Sequence, residues 1–315
     1  MARNSIQFQP GLSLPDFLSR YGSESQCRDA LFALRWPKGF ACPQCGNTTY
    51  CELNQRPLYQ CHRCHHQTSV TAGTIFANTK VPLTQWFLAI YRLTQEKKGV
   101  SAMALSRELG VSYNTAWSMK HKLMQTMRER DLGKPLAGRI EMDDAYLGGE
   151  KAGVPGRGSP NKIPFIAVVE TTDDKHPLRI QLRLVSGFRS YAIEKYARAN
   201  LTPGSAVWSD GLACFAAVKQ AGCNHYGMVT GGGRKAAQSP AFKWVNTVLG
   251  NLKSGLSGAY HAFGFDQYAE RYLGAIAYRF NRRFNLHALP NRLLVAAVAT
   301  GPHPERSIRL AETYC

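Results

Sequence analysis

The chain has 315 residues, 44% of them hydrophobic and 19% charged, which excludes a disordered polypeptide and leaves room for two or three domains. Lys and Arg number 39 against 21 Asp and Glu, a formal charge of +18, so a polyanion such as nucleic acid is the expected partner. The longest apolar run, LLVAAVA at 293–299, is too short for a membrane span, and nine cysteines suit reduced thiols better than a disulfide framework.

The first element with chemical content is a pair of CxxC units, at 42–45 and 61–64, separated by 15 residues. Each knuckle presents two thiolates, and two knuckles complete a tetrahedral zinc site with Cys42, Cys45, Cys61 and Cys64 as ligands. Gly46 follows the first pair, where a knuckle needs an unusual backbone angle. Tyr50, Leu53, Leu58 and Tyr59 suit short strands around an Arg-Pro turn, which gives a zinc ribbon within residues 1–76. Four cysteines fill the site, so His62, His65 and His66 read as solvated or phosphate-facing. Cys27, Cys51, Cys214 and Cys223 read as packing residues, and Cys315 as an exposed thiol.

From Pro82 the period becomes helical. Trp86, Phe87, Ile90, Tyr91 and Leu93 recur at helical spacing, and Gly99 is the expected stop. A shorter helix capped by Ser101 follows, with Met103, Leu105 and Leu109 as its apolar positions. After the turn 110–112 comes a helix capped by Ser112, with Ala116, Trp117, Met119, Leu123 and Met127 inside. This reads as a helix-turn-helix over residues 77–135. Its second helix carries Tyr113, Asn114, Thr115, Ser118, Lys120, His121 and Lys122. The N-terminal polar groups are placed to meet base edges and the cations to meet phosphates. Residues 131–138 read as a linker.

Residues 136–300 then alternate as β-β-β-α-β-α-β-α. A strand in GRIEMDDAYLGG is followed by two strands joined through the turn DDKHP, and by the helix SYAIEKYARANL. The strand GSAVWSDG, the helix LACFAAVKQAG, the strand NHYGMVT and a long helix opening on a Ser-Pro cap complete the series. That order is the core of the ribonuclease H-like fold, so the fold class expected is multidomain α+β with a C-terminal ribonuclease H-like α/β catalytic domain and a tail at 301–315. Asp143 lies on the first strand and Asp210 ends the fourth, which in that fold is its neighbour. Two carboxylates so placed suit Mg2+ or Mn2+ in a two-metal site for phosphodiester displacement. Asp173 and Asp174 read as turn residues.

LRWPKGFACPQCG, EMDDAYLGG, WSDG, NTVLGNLKSGLSGAYH and YRFNRR together resemble the IS1595 family of bacterial insertion-sequence transposases, whose core is the ISXO2-like domain. The resemblance implies catalytic aspartates at Asp143 and Asp210, with Asp144 at an accompanying acidic position. It places the third ligand at Asn246 and a catalytic lysine at Lys253, and it makes Arg282 and Arg283 part of a basic DNA-binding motif. Asn246 is neutral where many relatives of the fold carry Glu; its oxygen still suits Mg2+, more weakly than a carboxylate. Asn246 follows Asp210 by 36 positions, and Lys253 stands seven residues further, on the same helix face.

The function expected is a DNA transposase that binds the element ends, cuts them and joins them to target DNA, as a homo-oligomer on double-stranded DNA. The competing reading is a zinc-ribbon and helix-turn-helix regulator with an inactive ribonuclease H-like domain. The opening residues lack the apolar stretch of a secretory signal, so a cytoplasmic, nucleoid-associated protein without a membrane partner is expected.

Overall fold

The computed structural model describes residues 5–53, 56–148, 162–229, 240–260 and 263–310. The chain is mixed α+β and divides into two compact units, Met1–Thr126 with Arg283–Ile308, and Met127–Arg282 with Arg309–Cys315. Among the described residues, no helix is long and apolar enough to cross a membrane.

In the first unit, Ser13 caps α1 (Leu14–Tyr21), and Ser23 and Gln26 form a reciprocal capping box on α2 (Glu24–Arg35). β1 (Tyr50–Glu52), β2 (Tyr59–Cys61) and β3 (Gln67–Thr68) form a small antiparallel sheet in that order. This sheet is too small for a large apolar core. Aromatic rings substitute: Phe32 and Trp36 at the end of α2 pack with Phe40, Tyr50 and Tyr59, the Phe40 and Tyr50 centroids 4.7 Å apart. β3 has no counterpart in the sequence reading, because two residues carry no alternation to detect.

α3 (Leu83–Gln95) buries Trp86, Phe87, Ile90, Tyr91 and Leu93, the set its periodicity marks, and stops at Gln95, four residues before Gly99. Pro82 gives it no side-chain cap; Glu24 of α2 accepts the N–H groups of Leu83 and Thr84 instead, at 3.0 and 3.3 Å. α4 (Ala102–Leu109) starts at Ser101 and ends on Gly110, whose φ of 64° ends the helix in the left-handed region. Ser112 accepts the N–H of Thr115 at 3.2 Å and opens α5 (Tyr113–Arg130). Ala116, Met119, Leu123 and Met127 are buried as expected. Met103 is 47% exposed, against expectation, because Ala102, Leu105 and Leu109 already form the buried stripe of α4.

In the second unit, β4 (Arg139–Leu147), β5 (Ile163–Thr171), β6 (Pro177–Leu184), β7 (Ala206–Asp210) and β8 (Asn224–Met228) form a sheet in the order β6-β5-β4-β7-β8. β4, β5 and β6 pair antiparallel, while β7 pairs parallel with both β4 and β8. Parallel pairing of β7 requires a crossover, which α6 (Ser190–Asn200) provides. Side chains alternate across β4. Ile140 and Met142 join Ile193 and Phe215 on one face of the sheet; Ala145 and Leu147 join helices α7 (Lys243–Gly255) and α8 (Phe265–Asn281) on the other, through Val245, Leu252 and Leu273. The second unit is thus three-layered, with β4 central.

Two local expectations change. Residues Ala213–Ala221 form a 3-10 helix, not an α-helix. Phe215, Val218 and Ala221 recur every third residue and are buried, a spacing that aligns on a three-fold turn. The long helix opens with the 3-10 turn Pro240–Phe242, and its α-helical part starts at Lys243 without a local side-chain cap; the expected cap residue Ser239 lies outside the described residues. The helix α9 (Leu289–Ala299), which the sequence reading carried with residues 136–300, packs on α2 and α3 in the first unit.

Candidate active site and zinc centre

The two knuckles are built alike. Gly46 N–H returns to the Cys42 carbonyl at 2.9 Å, and His65 N–H to the Cys61 carbonyl at 3.0 Å. The fifth residue of each is left-handed, Gly46 at φ 72° and His65 at φ 57°. The four thiols lie within 4.8 Å of one another, with Cys42–Cys64 and Cys45–Cys61 Sγ separations of 3.6 Å. Tetrahedral Zn–S bonds of about 2.3 Å require S···S separations of about 3.8 Å, so the donor set fits zinc. Burial works against the Cys61 thiolate, yet the Cys64 and Arg63 backbone amides and the Asn47 side chain outweigh it and bring the thiol to about 6. Cys51, read as a packing residue, is exposed; Cys27, Cys214 and Cys223 are buried, and Cys315 lies outside the described residues.

On the sheet of the second unit, Glu141 pairs with Trp208 and Met142 with Ser209, so one further step brings Asp143 beside Asp210. Both belong to the face covered by α7, as period-two alternation requires. Asp143, Asp144 and Asp210 present oxygens within 4.8 Å of one another. Asp143 Oδ1 accepts the Asp144 N–H at 2.9 Å, and Asp210 Oδ1 the Leu212 N–H at 3.1 Å, so backbone amides orient two of the three. Three hard anionic donors this close suit a divalent cation such as Mg2+ or Mn2+ and repel one another without it. Asn246 is half-buried in the first turn of α7, and Lys253 is exposed in its last turn.

Glu141 is the site-adjacent residue that the sequence reading missed. It is fully buried on β4, two residues before Asp143, and Arg139 Nη1 lies 3.0 Å from its Oε1. Its Oε2 accepts the N–H groups of Trp244 and Val245 at 2.9 and 3.0 Å. The available signal was an acid on the same strand face as Asp143 in an otherwise apolar stretch.

The expected DNA-contacting residues divide by exposure. Tyr113 and Asn114 are exposed at the start of α5, and Thr115 and Ser118 are half-buried. Lys120 is 2% exposed, and His121 is buried beside the Trp117 ring, so neither faces a phosphate here. One residue further on a helix turns the side chain by about 100°, and Lys120 falls on the stripe of Ala116 and Met119. Lys122 is half-buried against the Trp86 ring, and burial lowers its pKa. Arg282 is held by Asp131 and lies 3.6 Å from the Tyr278 ring centroid. Arg283 is half-buried, and burial brings its pKa down to about 10.

Two stretches of the chain match known families. Residues 22–67 match the transposase zinc-ribbon domain, and residues 135–281 match the ISXO2-like transposase domain. The first match begins just before α2, whose Phe32 and Trp36 rings form part of the ribbon's aromatic core. A curated protein of Halobacterium salinarum, described as "Uncharacterized protein in transposable element ISH50", is 30% identical over 144 residues. That match covers 44% of this chain and 46% of the relative, so it spans less than half of the relative's length.

Proposed function

The chain belongs to the IS1595 family of insertion-sequence transposases, and we propose on that footing that it binds the ends of a mobile element, cuts them and joins them to target DNA. The observation that carries the reading is the meeting of Asp143, Asp144 and Asp210 within 4.8 Å. The strand order and mixed pairing of the second unit favour a ribonuclease H-like reading of it. Bound divalent ions would lower the cost of negative charge on the attacking and leaving oxygens. Asp143 and Asp210 would hold them from adjacent strands, and Asn246 would add a neutral oxygen from α7. Lys253 supplies a cation for a nearby phosphate. Helices α4 and α5, with the Gly110 turn between them, act as a helix-turn-helix that presents Tyr113 and Asn114 to DNA. The zinc ribbon is a folded platform whose metal contributes stability, and copies of the chain assemble as a homo-oligomer on paired element ends in the cytoplasm.

The test is Mg2+-dependent cleavage of a labelled duplex carrying the element end. Asp143→Ala and Asp210→Ala are expected to drop cleavage to background while end binding stays near the parental level. Cleavage that survives both substitutions overturns the reading. Parental protein that binds the end and never nicks it, in Mg2+ or Mn2+, supports the regulator reading instead.

A further inference from the structure

The start of α7 has no cap of its own: Phe242 offers no side-chain acceptor, so the amides of the first turn need one from elsewhere. Glu141 meets that need. Its carboxylate takes the Trp244 and Val245 N–H groups, the second and third of the helix, which are the groups an N-cap side chain ordinarily serves. Arg139 completes the clamp, donating to Glu141 at 3.0 Å, to Thr171 Oγ1 on β5 at 3.1 Å and to the Ala241 carbonyl at 3.4 Å. A carboxylate at 0% exposure tolerates no loss of these partners.

The next residue after Val245 is Asn246, and the next residue on the Glu141 face of β4 is Asp143. One side chain therefore ties the strand that carries the acidic cluster to the helix that carries Asn246. Sliding α7 by one residue would move Asn246 by about 1.5 Å and turn it by about 100°, whereas Mg2+ demands oxygens at about 2.0–2.1 Å in near-ideal geometry. We infer that Glu141 is the positioning residue of this site: it sets the height and rotation of α7 and thereby places Asn246 against Asp143 and Asp210. The inference rests on the proposed reading of Asp143, Asp210 and Asn246 as divalent-metal ligands, and its cleavage readout rests also on the transposase activity.

The deciding property is reach. Glu141→Asp keeps the charge beside Arg139 but withdraws the carboxylate by one methylene, while Glu141→Gln keeps an oxygen at full length. The full-length, zinc-loaded protein is titrated with Mn2+ by electron paramagnetic resonance, amide exchange at Trp244 and Val245 is followed, and end cleavage is measured against Mg2+. Glu141→Asp is expected to deprotect both amides and weaken Mn2+ binding roughly 10- to 100-fold, in the range for residues that orient ligands. Glu141→Gln should fall between it and the parent. Glu141→Asp combined with Asn246→Ala should bind Mn2+ no more weakly than Asn246→Ala alone, since both remove one contribution. Additive losses, a milder effect of Asp than of Gln, or unchanged Mn2+ affinity with deprotected amides overturns the inference. Parental protein that binds Mn2+ here without cleaving DNA removes only the transposase reading; failure to bind Mn2+ at all removes both.

Discussion

Arg282 grips Asp131 with two nitrogens, Nη2 to Oδ1 at 2.6 Å and Nη1 to Oδ2 at 3.0 Å, with their side chains only 12% and 15% exposed. Asn281 adds a bond to the same carboxylate at 3.3 Å, so the end of α8 is fastened to the segment leaving α5. Arg282→Gln is therefore expected to cost about 3 kcal/mol of stability, as for breaking a largely buried pair, and to leave the salt dependence of DNA binding unchanged. Denaturant unfolding and a binding series in salt check the two halves. The pair also carries a pH signature. Burial works against the Asp131 carboxylate, but Arg282 and Lys134 outweigh it and hold its pKa below the usual value. A depressed carboxylate stabilises fully above its unfolded pKa of about 3.9 and loses that contribution as pH falls through the folded value. The stability gap between parent and Asp131→Asn should hold above about pH 5 and shrink below about pH 4.

Burial sorts the cations and polar groups of α5. Lys120→Ala is expected to destabilise the protein by about 2 kcal/mol, as truncation of a long buried side chain does, with sequence preference intact. Tyr113→Ala and Asn114→Ala should leave the melting temperature within about 2 °C, as exposed substitutions do, and flatten discrimination between end and random DNA. A competition assay on purified variants measures both. Unchanged discrimination in the Tyr113 and Asn114 variants would remove α5 as the reading helix.

The left-handed residue of each knuckle gives a paired test. Gly46→Val places a branched side chain at φ 72° and should cost at least about 1 kcal/mol, whereas His65→Gly relieves a comparable strain at φ 57° and should be neutral or stabilising. Cys61→Ser should lose the zinc and unfold the ribbon. Metal analysis and thermal unfolding of the three variants provide the comparison; a Cys61 variant with a full equivalent of zinc would refute the four-cysteine site.

Asn246 offers a charge series at one position. Asn246→Ala should reduce cleavage less than either aspartate variant, since only a neutral ligand leaves. Asn246→Glu should retain or raise activity, because hard cations favour charged oxygen. A half-buried Asn that only packed would tolerate Ala and suffer from the added charge, so the opposite ranking in cleavage would exclude it as a ligand.

Features written within a few residues of sequence were legible. The two CxxC units, the caps at Ser101 and Ser112, and the alternation of β4 depend on local spacing, and the neighbouring of Asp143 and Asp210 followed from strand order. Partners far along the chain were not legible. Nothing near Arg282 announces Asp131, 151 residues earlier, and nothing near Glu141 announces Trp244, 103 residues later. Lys120 looked solvent-facing because a cation suggests water, while its place on the Ala116 and Met119 stripe of α5 says otherwise.

Glu24 and Glu141 each cap a helix whose sequence lies downstream, 59 residues later for α3 and 103 for α7. During synthesis the acceptor therefore leaves the ribosome first. At about 5–20 residues per second, Glu24 precedes Leu83 by about 3–12 s, while a helical turn closes in about a microsecond. Each helix thus emerges after the residue that accepts its first amides, so its first turn can dock before its last turn has been made. Reversing that order by circular permutation between Glu141 and α7 would make the helix wait for its cap, and slower appearance of Trp244 protection in a pulse-labelled refolding or translation reaction would register the delay.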